Sequence, residues 1–426
     1  MAGDFHVKPL GTVAKVRSGY AFKSKDMGAV GIPVIKIKNI TPPTVDITDC
    51  ERVPEAVITG IPRAERFELK GGDTLIAMTG ATVGKVGKFP QTHGKYFLNQ
   101  RVGKVYLTDP NETDYRYIYY ILSQDVFVRQ MLGIADGSAQ ANISGSQIES
   151  LKVPLPPLPE QKRIAGILGA LDDKIELNRK MNETLEQMAK TLFKSWFVDF
   201  DPVHAKAAGS QPAGMDKATA DLFPDSLVES ELGKIPKGWK VRSLDEIAHF
   251  LNGLALQKHP PSDGQTLPVI KIAQLRKGDT TAADRCDASL PSEYIIEDGD
   301  VLFSWSGSLE VEIWCGGKGA LNQHLFKVTS AEFPKWFYYL WTRWHLEEFR
   351  RIAAYKATTM GHIQRGHLTA AKVITAPNEL LGKMTNNISP IIDRIVSNNR
   401  QSRTLCELRD NLLPKLLSGE YHAEIA

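Results

Sequence analysis

Hydrophobic and polar positions along this chain follow two rhythms, and each rhythm occurs twice. Residues 33–40 read PVIKIKNI and residues 268–275 read PVIKIAQL; both are short apolar runs of the kind that form strands. Upstream, LGTVAKVRSGYAF (10–22) aligns with LDEIAHFLNGLAL (244–256). Downstream, KGGDTLIAMTG (70–80) aligns with EDGDVLFSWSG (297–307), and FLNQRVGKV (97–105) with ALNQHLFKV (320–328). YYIL (119–122) then matches YYLW (338–341), and NISGSQIESLKVPLPP (142–157) matches HIQRGHLTAAKVITAP (362–377). The order is kept throughout, and the offset drifts from about 235 to about 220 residues, which is the length of a folded unit and far beyond a solenoid period. Small loop deletions after duplication of one domain produce such a drift.

Within each copy, runs of Val, Ile, Leu and Phe broken by Gly-Asp turns predict strands. YRYIYYILSQDVFVRQML (115–132) and KWFYYLWTRWHLEEFRRI (335–352) carry apolar residues at three- and four-residue spacing and predict helices. Each copy is therefore expected to be a mixed domain, α/β in the broad sense (α+β), with a largely β core.

The second rhythm follows each copy. After Pro154, Pro156, Pro157 and Pro159, residues 160–197 contain no proline and many strong helix formers. Leu168, Leu171, Ile175, Asn178, Asn182, Leu185, Ala189 and Leu192 fall on the a and d positions of a heptad. Ile388, Ile391, Ile395, Asn398, Ser402, Leu405 and Leu412 hold the corresponding positions in the second copy. Asn178 and Asn398 match, either as register-setting residues in a buried seam or as residues of a solvated flank. Two long amphipathic helices in one chain bury their stripes most simply on each other, as an antiparallel coiled-coil-like pair. The second helix opens differently, with NELLGKM (378–384), and holds Pro390 and Pro414, so it is expected to be kinked or shorter than the first. The predicted order is a domain (1–157), a helix (158–200), a linker (201–235, with AKAAGSQPAG at 205–214), a second domain (236–377) and a second helix (378–420), related by an internal pseudo-twofold.

Composition narrows the function. The chain has 426 residues, 42% hydrophobic and 24% charged, which suits two globular domains. Its formal charge is only +3, so nucleic-acid affinity must come from local Lys and Arg clusters. No signal-peptide core or membrane-spanning run is found, and a cytoplasmic protein with no membrane partner is expected. Cys50, Cys286, Cys315 and Cys406 are scattered, without ligand spacing to His, so no metal site is expected.

Catalytic motifs fail one by one. GATVGK (80–85) is one residue short between its glycines for a phosphate loop and has Val86 where a magnesium-binding hydroxyl belongs; its counterpart GSLEVE (307–312) has no lysine. Asp300, Glu310 and Glu312 are not matched as a carboxylate set in the first copy. His259, His324, His362 and His367 lack partners for a catalytic constellation. Neither an Asn/Asp-Pro-Pro-aromatic motif nor a Gly-rich cofactor loop of a methyltransferase is present. No catalytic residue is assigned.

Three stretches then carry a resemblance. PLPPLPEQKRIAGILGALDDKIELNRKMNETLEQMAKTLFKSWFVDFDPV (154–203), LFPDSLVESELGKIPKGWKVRSLDEIA (222–248) and the duplicated GD-x-L…SG and LNQ elements resemble the specificity subunit of a type I restriction-modification system, over essentially the whole chain. The PEQ-x-x-I helix opening and the IPKGW domain start are its specific markers. The resemblance implies a non-catalytic DNA-binding subunit in which each copy is a target recognition domain for one half of an interrupted double-stranded DNA site. It also implies spacer helices that dock modification subunits, two in number, and restriction subunits. No cofactor would be bound by this chain; the partners would use S-adenosylmethionine, ATP and magnesium. A catalyst-free scaffold for RNA or another protein is the alternative reading, and a salt-sensitive, sequence-dependent affinity for duplex DNA separates the two.

Phosphates call for flexible cations and base edges for Arg, Lys, Asn, Gln or His. The first copy offers Lys36, Lys38, Lys85, Lys88, Arg101, Gln140, Asn142 and Ser144; the second offers Lys271, Arg276, Lys277, His324, Lys356, His362 and Arg365. NISGSQ and HIQRGH keep their apolar residue and change their polar ones, as two readers of different half-sites require. Asn99 and Gln100, which match Asn322 and Gln323, are expected to serve the fold through amide hydrogen bonds.

Overall fold

The structure, a computed structural model, describes residues 5–135, 141–355 and 361–419. Two compact units emerge: one runs through Asp173 and takes in the chain again from Cys406, and the other comprises Lys174–Leu405.

In the first unit a six-stranded sheet has the order Ala14–Ser18, Val102–Leu107, Thr74–Ala77, Val86–Lys88, Thr44–Val45, Ile40–Thr41. A three-stranded sheet sets Ile32–Ile35 between Arg52–Val53 and Phe97–Leu98. His6–Pro9 and Lys152–Leu155 close the unit as an antiparallel pair. The second unit repeats the plan with His249–Asn252, Leu325–Thr329, Val301–Ser304 and Val311–Ile313 in one sheet. Its second sheet orders Arg285–Asp287, Thr266–Ile270, Gly319–Leu321 and Ile295–Ile296, and Lys240–Ser243 with Lys372–Thr375 is its closing pair. Each repeated PVIK run pairs in parallel with the strand before its LNQ motif: Val34 faces Phe97 and Ile35 faces Leu98, as Val269 faces Ala320 and Ile270 faces Leu321.

A buried ion pair explains why the Gly-Asp turn is duplicated. The Asp73 carboxylate accepts the Lys70 N–H (2.7 Å) and pairs with the Lys104 ammonium (2.5 Å). Asp300 does the same with the Glu297 N–H (2.8 Å) and Lys327 (2.9 Å). Each lysine also donates to a carbonyl outside its own sheet, Glu68 or Ile295. A charge withdrawn from water needs its partner and its remaining hydrogen bonds together, which ties turn and sheet into one element. Tyr117, Ile118 and Ile121 of the helix Tyr115–Leu122 fill the first core, and Trp336, Phe337 and Phe349 of the helix Lys335–Tyr355 fill the second.

The two long helices, Leu158–Phe197 and Asn378–Leu417, are both 40 residues. The expectation of a shorter second helix is corrected. Pro390 and Pro414 are exposed, and the carbonyls their missing N–H groups would have bonded belong to exposed Asn386 and Asp410, which face water. The unusual NELLGKM opening also makes the same first-turn bond as the other helix, Leu381 N–H to Pro377 O (2.9 Å) beside Gln161 N–H to Pro157 O (3.1 Å).

The helices run antiparallel within each unit. In the first, Leu168 is buried, Leu412 packs against the same core, Leu171 is half-buried, and Asp172 holds Arg409 at 2.8 Å. In the second, Ile388 and Ile395 are buried while Ile175, Leu185, Leu192, Ile391 and Leu405 are half-buried. Asn178, Asn182 and Asn398 are 0%, 7% and 2% exposed, which rules out the solvated flank. Asn398 Nδ2 donates to Asn182 Oδ1 (2.8 Å), Asn182 Nδ2 to Asn399 Oδ1 (2.7 Å), and Asn178 Nδ2 to Gln401 Oε1 (2.9 Å) and Ser402 Oγ (3.2 Å).

The segment expected as a linker is folded. Helices Asp201–Ala207 and Lys217–Leu222 and the hairpin Leu227–Ser230 with Gly233–Pro236 occupy it, and Val203, Phe223 and Ile235 are buried in the second unit's core with Phe197 and Trp239. Among the described residues, no helix is long and apolar enough to cross a membrane.

Candidate nucleic-acid interface

Most of the candidate lysines are ion-paired surface residues. Lys36 holds Glu51 (2.5 Å), Lys38 holds Asp49 (3.1 Å), Lys277 holds Asp279 (3.2 Å), and Lys271 pairs with Asp284. The hydrogen bond to Asp49 raises the Lys38 pKa, so this ammonium stays charged. Exposed pairs of this kind are weak and exchange readily for a phosphate. Lys85 and Arg276 are exposed and Lys88 is half-buried. Gln140 and Lys356 lie outside the described residues.

The remaining candidates gather at one place in each unit. In the first, Met78 N–H donates to Arg101 O (3.0 Å) and Ile143 N–H to Met78 O (2.9 Å), so Arg101, Met78 and the Asn142 segment lie on adjacent chains. Ser18 reaches Met78 Sδ at 3.7 Å, and the Arg101 and Asn142 side chains are exposed. In the second, Trp305 N–H donates to His324 O (3.3 Å) and Ile363 N–H to Trp305 O (2.9 Å). The bridges Thr79–Asn142 and Ser306–His362 are likewise equivalent, as are Gly80 N–H to Ala141 O and Gly307 N–H to Gly361 O, both 2.8 Å.

Trp305 organises the second cluster. Its Nε1–H donates to Asn252 Oδ1 (2.9 Å) and Gln323 O (3.2 Å), and its ring lies 5.9 Å from that of His324 and 6.3 Å from that of His362. His324 Nδ1 is 3.0 Å from Ser306 Oγ. Arg365 is tied to the fold, stacked over Phe326 (5.7 Å) and donating to Phe250 O (3.2 Å). Ser144 caps the short helix Gly145–Glu149, its Oγ accepting the Gln147 N–H (3.2 Å). Asn99 and Asn322 are buried, and each accepts the N–H two residues on (3.3 Å), which holds the LNQ corner in both units. Sequence reasoning missed Met78, Trp305, Ser18 and Asn252. The signal was available, because these positions align in the repeat while their side chains differ.

A cleft of about 480 Å³ in the second unit is lined by Glu186, Phe193, Glu310, Glu312, Arg343, Trp344 and Arg350, among others. Burial pushes the Glu312 carboxyl up to about 7, with Glu186 and Glu310 adding to the rise and Arg343 opposing it. Among the described residues, no cluster of His, Cys, Asp or Glu has the grouping of a metal site.

Residues 3–187 and 236–396 match the type I restriction modification DNA specificity domain, so the chain belongs to that family. It is 28% identical over 319 residues to the type I restriction enzyme MjaIX specificity subunit of Methanocaldococcus jannaschii, covering 72% of this chain and 69% of that one. It is 25% identical over 370 residues to the HindI specificity subunit of Haemophilus influenzae, covering 74% and 80%. The crystal structure of a type I S subunit from M. genitalium superposes with a TM-score of 0.53 at 14% identity, covering 100% of this chain and 98% of that one, and so shares the fold. Specificity subunits are non-catalytic; the catalytic activities of type I systems reside in other subunits.

Proposed function

We propose that this chain reads an interrupted duplex-DNA site with one domain per half-site, using residues 1–157 for one half and 236–377 for the other. The paired helices dock two modification subunits, and restriction subunits join the same assembly in the cytoplasm. The partners use S-adenosylmethionine, ATP and magnesium, and this chain holds none of them. One observation carries the reading: the family match falls on two separate segments. Each begins its own set of sheets around its own core and presents its own polar cluster. A charge of only +3 agrees with recognition through local clusters on two heads and disfavours a uniformly basic nucleic-acid surface.

The test is to sequence methylated adenines in DNA from cells carrying this chain with its modification subunit. The expected result is one asymmetric motif with two specified parts around an unspecified spacer. A continuous motif, or no methylation that depends on this chain, contradicts the proposal.

A further inference from the structure

The two polar clusters share more than their place in the repeat. In each unit four chain segments meet in one rung with the same backbone bonds, and at four aligned positions the side chains change. Arg101, Met78, Asn142 and Ser18 in the first unit stand where His324, Trp305, His362 and Asn252 stand in the second. The buried Asn of the LNQ corner and the apolar Ile143 and Ile363 around the rung are kept. Backbone bonds kept while the polar side chains they carry change is the arrangement that two readers of different base sequences on one fold require.

We propose that these two rungs are the specificity-determining sites of the chain, with Arg101 and Asn142 reading base edges for the first domain and His324 and His362 for the second. This inference rests on the half-site reading above and narrows it to four side chains. The chemistry is that of groove readout. Arg donates two parallel bonds to guanine O6 and N7, and Asn pairs with adenine N6 and N7. An imidazole offers one donor and one acceptor. Rigid backing is what such readers require. Trp305, fixed through its indole N–H by Asn252 and Gln323, lies against both imidazoles; Ser306 Oγ is 3.0 Å from His324 Nδ1 and Gln323 Nε2 is 3.3 Å from its Nε2, which hold the ring until a base edge takes the place of one of them. The ion-paired lysines lie outside both rungs and are left the phosphate role, which positions without specifying.

Methylation mapping of three complexes tests this: wild type, Arg101→Ala with Asn142→Ala, and His324→Ala with His362→Ala. Each double variant is expected to keep the spacer and one half-site intact, and to lose roughly ten- to a hundred-fold of its discrimination at one or two positions of the other half. Arg101 and His362 are exposed, so the single variants Arg101→Ala and His362→Ala carry the test should a double variant fail to assemble. An unchanged motif in both assembled variants, with weaker methylation at every site, would assign the rungs to phosphate contact and overturn the proposal. Degeneracy in both halves from one variant would overturn it as well. If the wild-type complex gave no interrupted motif, the half-site reading itself would fall, a result distinct from either.

Discussion

Glu312 shows how position turns an ordinary carboxylate into a pH-sensitive group. Buried beside Glu186 and Glu310, it titrates at about 7 in the folded chain against 4.5 for the free side chain. A raised carboxyl pKa means the folded state holds a proton that the unfolded state has released between those values. Its stabilising contribution is complete below about pH 4.5 and is lost as pH rises through about 7. Glu312→Gln keeps the shape and removes the titration, so the variant should gain roughly 1–3 kcal/mol on wild type between pH 5 and pH 8. Unfolding midpoints at the two pH values measure that gain, and equal pH dependence in both proteins would show that Glu312 ionises freely. None of this was legible in the sequence, where Asp300, Glu310 and Glu312 fail as a carboxylate set because the first copy does not match them. In the fold Asp300 goes to Lys327, whereas Glu310, paired with Arg350 (2.8 Å), and Glu312 line one cleft.

At the scale of elements, the long helices were the most legible part of the chain, because a heptad stripe survives any choice of partner. The register put Asn178 and Asn398 at matching positions, yet their side chains do not bond to each other. Asn398 gives its amide to Asn182, and Asn178 gives its own to Ser402, Gln401 and the Asn398 backbone carbonyl (3.3 Å), a pairing that antiparallel geometry sets and heptad position does not. The two should therefore respond differently to an apolar replacement. Asn398→Leu leaves the buried Asn182 Oδ1 without its donor and is expected to cost about 1–3 kcal/mol. Asn178→Leu frees half-buried Ser402, exposed Gln401 and the Asn398 carbonyl, which lies inside the helix Asn378–Leu417, and it removes a buried Oδ1 that has no hydrogen-bond partner, so it should cost less than Asn398→Leu. Urea denaturation of the two variants checks the order, and equal losses would mean the seam does not distinguish these amides. Prolines mislead at this scale because their cost depends on which face they occupy: Pro390 and Pro414 both lie on the exposed side, where no buried carbonyl is orphaned.

For the whole molecule, the duplicated pattern showed the mixed strand and helix content of each copy, and it aligns the positions that the fold brings together in each polar cluster. The segment 201–235 differs from its composition, since AKAAGSQPAG has the residues of a loose connector while Val203, Phe223 and Ile235 around it are core residues. Composition averages over a window, and a few buried aromatic and aliphatic anchors decide whether the window folds. Trp305 shows a related effect: a lone tryptophan after the apolar run Val301–Ser304 reads as core, and the indole N–H bonded to Asn252 marks it as the support of a polar site.

The central claim is that each domain reads its half-site independently, through a core and a polar rung of its own. Replacing residues 1–157 with the corresponding domain of another type I specificity subunit, and mapping methylated adenines made by the resulting complex, tests it most directly. The account predicts a motif in which one half is new while the other half is that of the present chain. A motif changed in both halves, or unchanged in both, would contradict it.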